Sequence, residues 1–237
     1  MTTQIIDTEV HLLHPEAINK NFAKNTQEPV RSAIHLHQDY KIVKPLMSID
    51  SLLLSMKNNN IKKAHIMGLS WQNKKWNDAN NEFIKECVSE YPNLFSGFYI
   101  PHLANPEIAK KEIGVIDEKI FMGIKIIPRW QGWSVNDEKL FPIYNIIQER
   151  KMFLMVHIDH ITQSLNGDTP QKLLDLVIKF PKLKILATHM GGLLCMYETL
   201  PKFADILKNV YYITSVSSTM NFVKYASEIV PDKIFFE

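Results

Sequence analysis

The sequence of 237 residues predicts a TIM-type (β/α)8 barrel. Three observations carry that expectation. Eight short apolar segments that read as strands alternate with seven helical segments, at the spacing of βα units. Several of the strand segments end in histidine, glutamate or lysine, where a barrel gathers its active site. No glycine-rich turn follows the first strand, as a doubly wound open sheet would advertise. The length fits one such domain over 1–237, stopping before an eighth helix.

The elements follow in order. Ile5-Ile6-Asp7-Thr8-Glu9-Val10-His11 is the first strand. Strand side chains alternate faces, so Asp7, Glu9 and His11 share one face, and Ile6, Val10 and Leu12 the other. A long loop, 12–47, holds Pro15, Pro29 and Pro45 with His14, His35 and His37. Long loops in compact domains are usually functional. Ser48 caps a helix to about Lys57, and Lys63–Leu69 is strand two. A helix runs from Asn77 to Tyr91, strand three from Leu94 to His102. Pro106 starts the next helix at a first-turn position, where its missing N–H costs little. Phe121–Ile127 is strand four, followed by a Pro/Trp/Gly loop. Asn136 caps a helix to Arg150, and Met152–Ile158 is strand five. Thr169–Phe180 is helical, and Leu183–Thr188 is strand six. Gly191-Gly192 opens a helix to about Leu207. Val210–Thr214 is strand seven, Ser218–Val230 a helix, and Lys233–Phe236 begins strand eight.

Composition excludes several classes. A net charge of +2, with 46% hydrophobic and 22% charged residues, gives no reason to expect nucleic acid or an anionic membrane as partner. No apolar run has transmembrane length, and Met1-Thr2-Thr3-Gln4 has no basic leader character. Cys87 and Cys195 stand alone, as buried thiols of a reducing, cytoplasmic setting.

The strand ends bring together Glu9 and His11 (one), His102 (three), Lys125 (four), His157 (five) and His189 (six). Phe153, Met155 and His157 share a face, as do Ile185, Ala187 and His189. A carboxylate and three imidazoles in a dry mouth call for a cation, because unpaired buried charge is costly. One divalent metal fits: zinc first, manganese or iron otherwise, at about 2.0–2.2 Å from carboxylate or imidazole in the zinc case. Plainer readings stand beside this one. Glu9 and His11 could be a simple hydrogen-bonded pair, and each strand-end histidine could bond only to backbone. Lys125 points inward and could pair with Glu9 or with a substrate acid. Arg129 and Trp130 could clamp a carboxylate and stack on a ring, or form a solvated rim. His102 is a further substrate-binding candidate. His14, His35, His37, His65 and His160 read as surface or packing residues, and Asp7 as an orienting neighbour of a ligand.

Asp7-Thr8-Glu9-Val10-His11 resembles the Asp-x-His-x-His opening of the amidohydrolase superfamily. Gly123-Ile124-Lys125-Ile126-Ile127-Pro128 is similar to its strand-four motif. His157 and Thr188-His189-Met190-Gly191-Gly192 are similar to its strand-five and strand-six histidines. The resemblance is closest to the branch of amidohydrolase-related hydrolases and non-oxidative decarboxylases. It implies a mononuclear metal held by Glu9, His11 and His157. His189 is implied as a ligand or as the group that orients substrate or water, and it stands with Lys125 as a catalytic candidate. Glu9 stands where the family opening has its first histidine, a variation resembling decarboxylase-type members. The family's strand-eight aspartate would follow Phe235-Phe236-Glu237.

The expected activity is therefore metal-dependent hydrolysis of a C–N or C–O bond in a small carboxylated molecule. The alternatives are decarboxylation of an aromatic acid and a truncated barrel without activity. Unpartnered apolar surface on the first and seventh helices predicts a homodimer.

Overall fold

The structure is a computed structural model and describes residues 5–19, 46–158, 168–215 and 220–235. Eight strands form one parallel sheet in chain order: β1 (Ile5–His11), β2 (Ile61–Met67), β3 (Phe95–Tyr99), β4 (Phe121–Ile126), β5 (Phe153–Val156), β6 (Lys184–Ala187), β7 (Val210–Ile213) and β8 (Ile234–Phe235). The sheet curls into a nearly closed TIM barrel, with helices between successive strands. The helices are α1 (Pro15–Asn19), α2 (Ile49–Asn58), α3 (Lys74–Glu90), α4 (Pro106–Val115), α5 (Phe141–Glu149), α6 (Pro170–Lys179), α7 (Pro201–Ile206) and α8 (Met220–Ile229).

Local chemistry sets several of these starts. The Ser48 hydroxyl accepts from Ser51 N at 3.2 Å, opening α2. Asn105 accepts from Glu107 N and Ile108 N at 3.1 and 3.2 Å, with Pro106 beginning α4. Thr169 caps α6 ahead of Pro170. The helix after strand four begins later than expected. Asp137, rather than Asn136, caps a 3-10 turn at Glu138–Leu140, and α5 follows.

Two apolar layers hold the barrel. Outside, Ile124, Ile126, Leu154, Val156, Ile185, Ala187, Val210 and Tyr212 pack against the helices, and Ala64 and Ile66 of β2 do the same. Inside, Met67, Phe98, Ile100, Met155, Leu186 and Ile213 fill the lumen, flanked by Met122, Phe153, Tyr211 and Phe235. Each fully buried side chain of this size contributes about 1.5–3 kcal/mol. Gly123 serves the inner layer. A Cβ there would lie 2.4 Å from Phe98 Cε1 and 2.7 Å from the Phe153 carbonyl oxygen, so only glycine admits that ring. Both thiols are buried and unbonded to each other, and burial pushes Cys87 up to about 11 and Cys195 up to about 12. Among the described residues no helix is long and apolar enough to cross a membrane.

Two expectations around strand six are corrected. Ile185 and Ala187 face the helices, and Leu186 faces the lumen, so alternation does not carry His189 inward. The chain turns instead: His189, Met190, Gly191, Gly192 and Leu193 all have positive φ. That left-handed run is why no continuous helix opens at Gly191. A 3-10 segment (Leu194–Thr199) and α7 follow, separated at Pro201. Within the first long loop, α1 is helical, while His35, His37 and most of that loop lie outside the described residues, as do His160 and Glu237.

Candidate active site

The C-terminal mouth is built from strand ends and the turns beyond them. In β1 the register against β2 shifts between Asp7 and Val10. A bulge of this kind re-aims side chains near functional sites. Glu9, 5% exposed, and His11 come together beyond it, with His11 Nε2 3.6 Å from Glu9 Oε1. His11 Nδ1 lies 2.7 Å from the Gly68 carbonyl oxygen. A carbonyl can only accept, so Nδ1 carries a proton, and in the neutral ring the lone pair is on Nε2, facing Glu9.

Lys125, wholly buried on β4, forms an ion pair with Glu9 Oε1 across the lumen. Burial alone would raise the Glu9 carboxyl. The Lys125 ammonium overcomes that and holds it well below the usual carboxylate range. Among the described residues, Glu9 Oε2 and Asp7 Oδ1 are buried without a hydrogen-bond partner. A buried carboxylate oxygen left without a partner is unusual and marks a place for a further ligand.

His157, just past β5, and His189 form the second pair. Their rings meet edge to face at a centroid distance of 4.6 Å, with His189 Nε2 3.2 Å from His157 Nδ1. His189 Nδ1 lies 3.0 Å from the Ser215 carbonyl oxygen and from Ser215 Oγ, and its backbone N–H donates to that hydroxyl at 3.2 Å. Burial, then the neighbouring His157, pushes His189 down to about 4, so it is neutral at pH 7. With its proton directed at the Ser215 carbonyl, His189 accepts from His157 at Nε2. That places a proton on His157 Nδ1. His189 therefore orients His157 in the manner of a hydrogen-bonding partner behind a metal-binding imidazole.

The expected ligands thus stand as two pairs, Glu9 with His11 and His157 with His189. Among the described residues no three His, Cys, Asp or Glu side chains are grouped to hold a metal ion as they stand.

Trp130 sits on the 3-10 turn Pro128–Gln131 and stacks on His157, 6.4 Å between centroids and 26° between planes. Gln131 pins that turn, accepting from Ile127 N at 2.9 Å and donating to the Pro101 carbonyl at 2.7 Å. Arg129, on the same turn, is exposed on the rim. His102 is placed differently. Its Nε2 lies 2.6 Å from the Gln72 carbonyl oxygen, and it lines a cavity of about 250 Å³ with Trp71, Gln72, Leu103, Ala104 and Gln131. His14 packs edge-on against Phe83, and His65 packs beside Phe98. Ser215 and Gly68 were not singled out in the sequence. The signal for each is a small residue directly beyond a strand, which becomes meaningful only once a histidine is known to face it.

The family model for amidohydrolases matches residues 6–236. The chain therefore belongs to the amidohydrolase family, a family of enzymes. Solved structures share the fold. The 2,6-dihydroxybenzoate decarboxylase from Rhizobium is 16% identical, with 100% of this chain and 87% of that one covered, at a TM-score of 0.76. A 5-carboxyvanillate decarboxylase from Novosphingobium aromaticivorans, complexed with manganese and 4-hydroxy-3-methoxy-5-nitrobenzoic acid, is 18% identical over 99% of this chain and 85% of that one, at 0.76. The 4-oxalomesaconate hydratase from Rhodopseudomonas palustris is 20% identical over 98% and 80%, at 0.66.

Proposed function

We propose that this protein is a metal-dependent, non-oxidative decarboxylase of a small hydroxylated aromatic acid. The observation that carries the reading is the mouth itself. Among the described residues an ionised, buried Glu9 keeps one oxygen without a hydrogen bond, His11 turns Nε2 toward that carboxylate, and a flat indole lies over His157. The likeness to two aromatic-acid decarboxylase structures supports it, one of them holding manganese.

The donor types suit a divalent ion, which would draw the two pairs together: one carboxylate and two imidazoles whose other nitrogens are hydrogen-bonded. Glu9, His11 and His157 would hold it, with His189 as a further ligand or as the orienting group, and manganese is favoured over zinc. When bound, the ion supplies positive charge that engages the acid and its neighbouring hydroxyl. The chain's own residues do the rest. Lys125 keeps Glu9 ionised. His189 fixes the ring and proton of His157. Trp130 offers a face to the aromatic ring, Arg129 offers a cation to a carboxylate at the rim, and the His102 cavity takes the substituent furthest from the reacting carbon. In the reaction the bond to the carboxylate carbon breaks, its electron pair stays on the ring carbon, a proton takes that position and CO2 leaves.

Hydrolysis of a C–N or C–O bond is the second reading. The match to the amidohydrolase family model supports it. One experiment separates the two. Chelator-stripped protein is reloaded with Mn²⁺ or Zn²⁺ and given 2,6-dihydroxybenzoate, 5-carboxyvanillate, and an amide and lactone panel. Release of CO2 without amide or lactone cleavage is expected. Cleavage alone selects hydrolysis, and metal-loaded protein inert on every substrate sinks both. The buried thiols support a cytoplasmic setting, and we expect a homodimer.

A further inference from the structure

Three buried asparagines on α3 take no part in the chemistry above. Asn77, Asn80 and Asn81 are 1%, 2% and 5% exposed and share one face of the helix by their i, i+3, i+4 spacing. A helix lying on a sheet normally presents apolar side chains there, because a buried amide is costly unless it is hydrogen-bonded. Asn77 and Asn81 both serve the end of β3. Each donates to the Ile100 carbonyl at 2.8 Å, and Asn81 also accepts from Ile100 N at 3.0 Å.

Asn80 serves different strands. Its Nδ2 donates to the Leu12 carbonyl at 3.3 Å, and its Oδ1 accepts from Trp71 Nε1 at 3.0 Å and from Leu69 N at 3.4 Å. Leu12 directly follows His11. Leu69 directly follows Gly68, whose carbonyl takes the His11 Nδ1 proton. Leu12 N also donates to the Met67 carbonyl at 2.8 Å. A single amide thus ties the chain just beyond the histidine to the chain just beyond its acceptor. The fit is close. A Cβ on Gly68 would lie 2.5 Å from Asn80 Cγ and Nδ2, so position 68 must be glycine for the amide to sit where it does.

We propose that Asn80, with Gly68, is the positioning device for His11. It holds the Gly68 carbonyl opposite Nδ1, which fixes the tautomer that turns the Nε2 lone pair toward Glu9. The tautomer stands without any ion, and only its consequence for metal affinity rests on the function proposed above.

The test reads His11 directly. Metal-free protein labelled with 15N-histidine is examined at neutral pH by long-range 1H–15N correlation, with the His11 signals assigned from their loss in His11→Gln. The native chain is expected to show Nδ1 protonated and Nε2 bare. Asn80→Ala should mix the tautomers and weaken Mn²⁺ binding about 10- to 100-fold, and Gly68→Ala should do the same from the other side. Asn80→Ser, too short to span Leu12 and Leu69 together, reads the same way should Asn80→Ala not fold. The control is Asn81→Ala. It empties a neighbouring buried amide site and should lower the melting temperature while leaving His11 and Mn²⁺ affinity as they were. An unchanged His11 tautomer in the Asn80 variants overturns the proposal, and so does an equal disturbance by Asn81→Ala. If no form binds Mn²⁺ while the tautomer responds to Asn80 and not to Asn81, the positioning role stands and the metal reading alone fails.

Discussion

At the scale of single residues, the pairing of Lys125 with Glu9 decides the character of the mouth. Both side chains are almost wholly out of water, at 0% and 4% exposure. Removing one partner leaves an uncompensated buried charge, which costs about 3–5 kcal/mol. Lys125→Met should therefore lower unfolding stability by that amount in denaturant melts. Glu9→Gln combined with Lys125→Met should recover most of it. A single variant as stable as the native chain would mean that the pair is not buried as a charged pair. The pairing was one of two readings open for Lys125 from its inward register. What the register could not supply was the Phe98 ring, which fills the lumen beneath the pair because Gly123 has no side chain.

At the scale of elements, turns rather than strands aim the second histidine pair. Alternation along β5 does carry His157 inward with Phe153 and Met155, as expected. Along β6 it does not, and the left-handed run at His189–Leu193 brings the His189 ring back toward His157. Past this turn, a second polar device anchors the short β8. Lys233, on the 3-10 turn Pro231–Lys233, donates to both Glu198 carboxylate oxygens at 2.8 Å and to the Leu207 carbonyl at 3.0 Å. Tyr212 of β7 donates to the same carboxylate at 2.8 Å, and burial with Glu198 beside it pushes the phenol far up. Lys233→Met strands the buried Glu198 charge and should cost about 3–5 kcal/mol. Tyr212→Phe loses one hydrogen bond and should cost nearer 1 kcal/mol. Equal losses in the two melts would contradict the charge-centred account.

At the scale of the molecule, the barrel leaves apolar side chains in water on the elements either side of its seam. Ile6 of β1, Leu54 of α2 and Tyr225 of α8 are 40%, 60% and 47% exposed. Exposed apolar side chains on both sides of one seam suit an interface between two copies of the chain. Sedimentation equilibrium should give a dimer that Leu54→Glu with Tyr225→Glu converts to a monomer. A native chain that sediments as a monomer at high concentration removes the expectation.

Alternation of apolar and amphipathic segments was enough to determine the barrel. The reason is that strand and helix periods are local properties of sequence, and a parallel βα repeat has few ways to bury both faces. The cap at Ser48 and the proline start of the helix at Pro106 were legible for the same local reason, and so was the inward face of β1 that holds Glu9 and His11. Only the tertiary structure decided which groups each site residue faces. His11 meets a carbonyl 57 positions away and His189 one 26 positions away. Asn80, on a helix that periodicity alone would paint as core, bonds to a strand end 68 positions back. Proton placement, ion pairing and hydrogen-bond partnership depend on distances of a few ångströms between chain segments far apart in sequence, and no local pattern encodes such a distance.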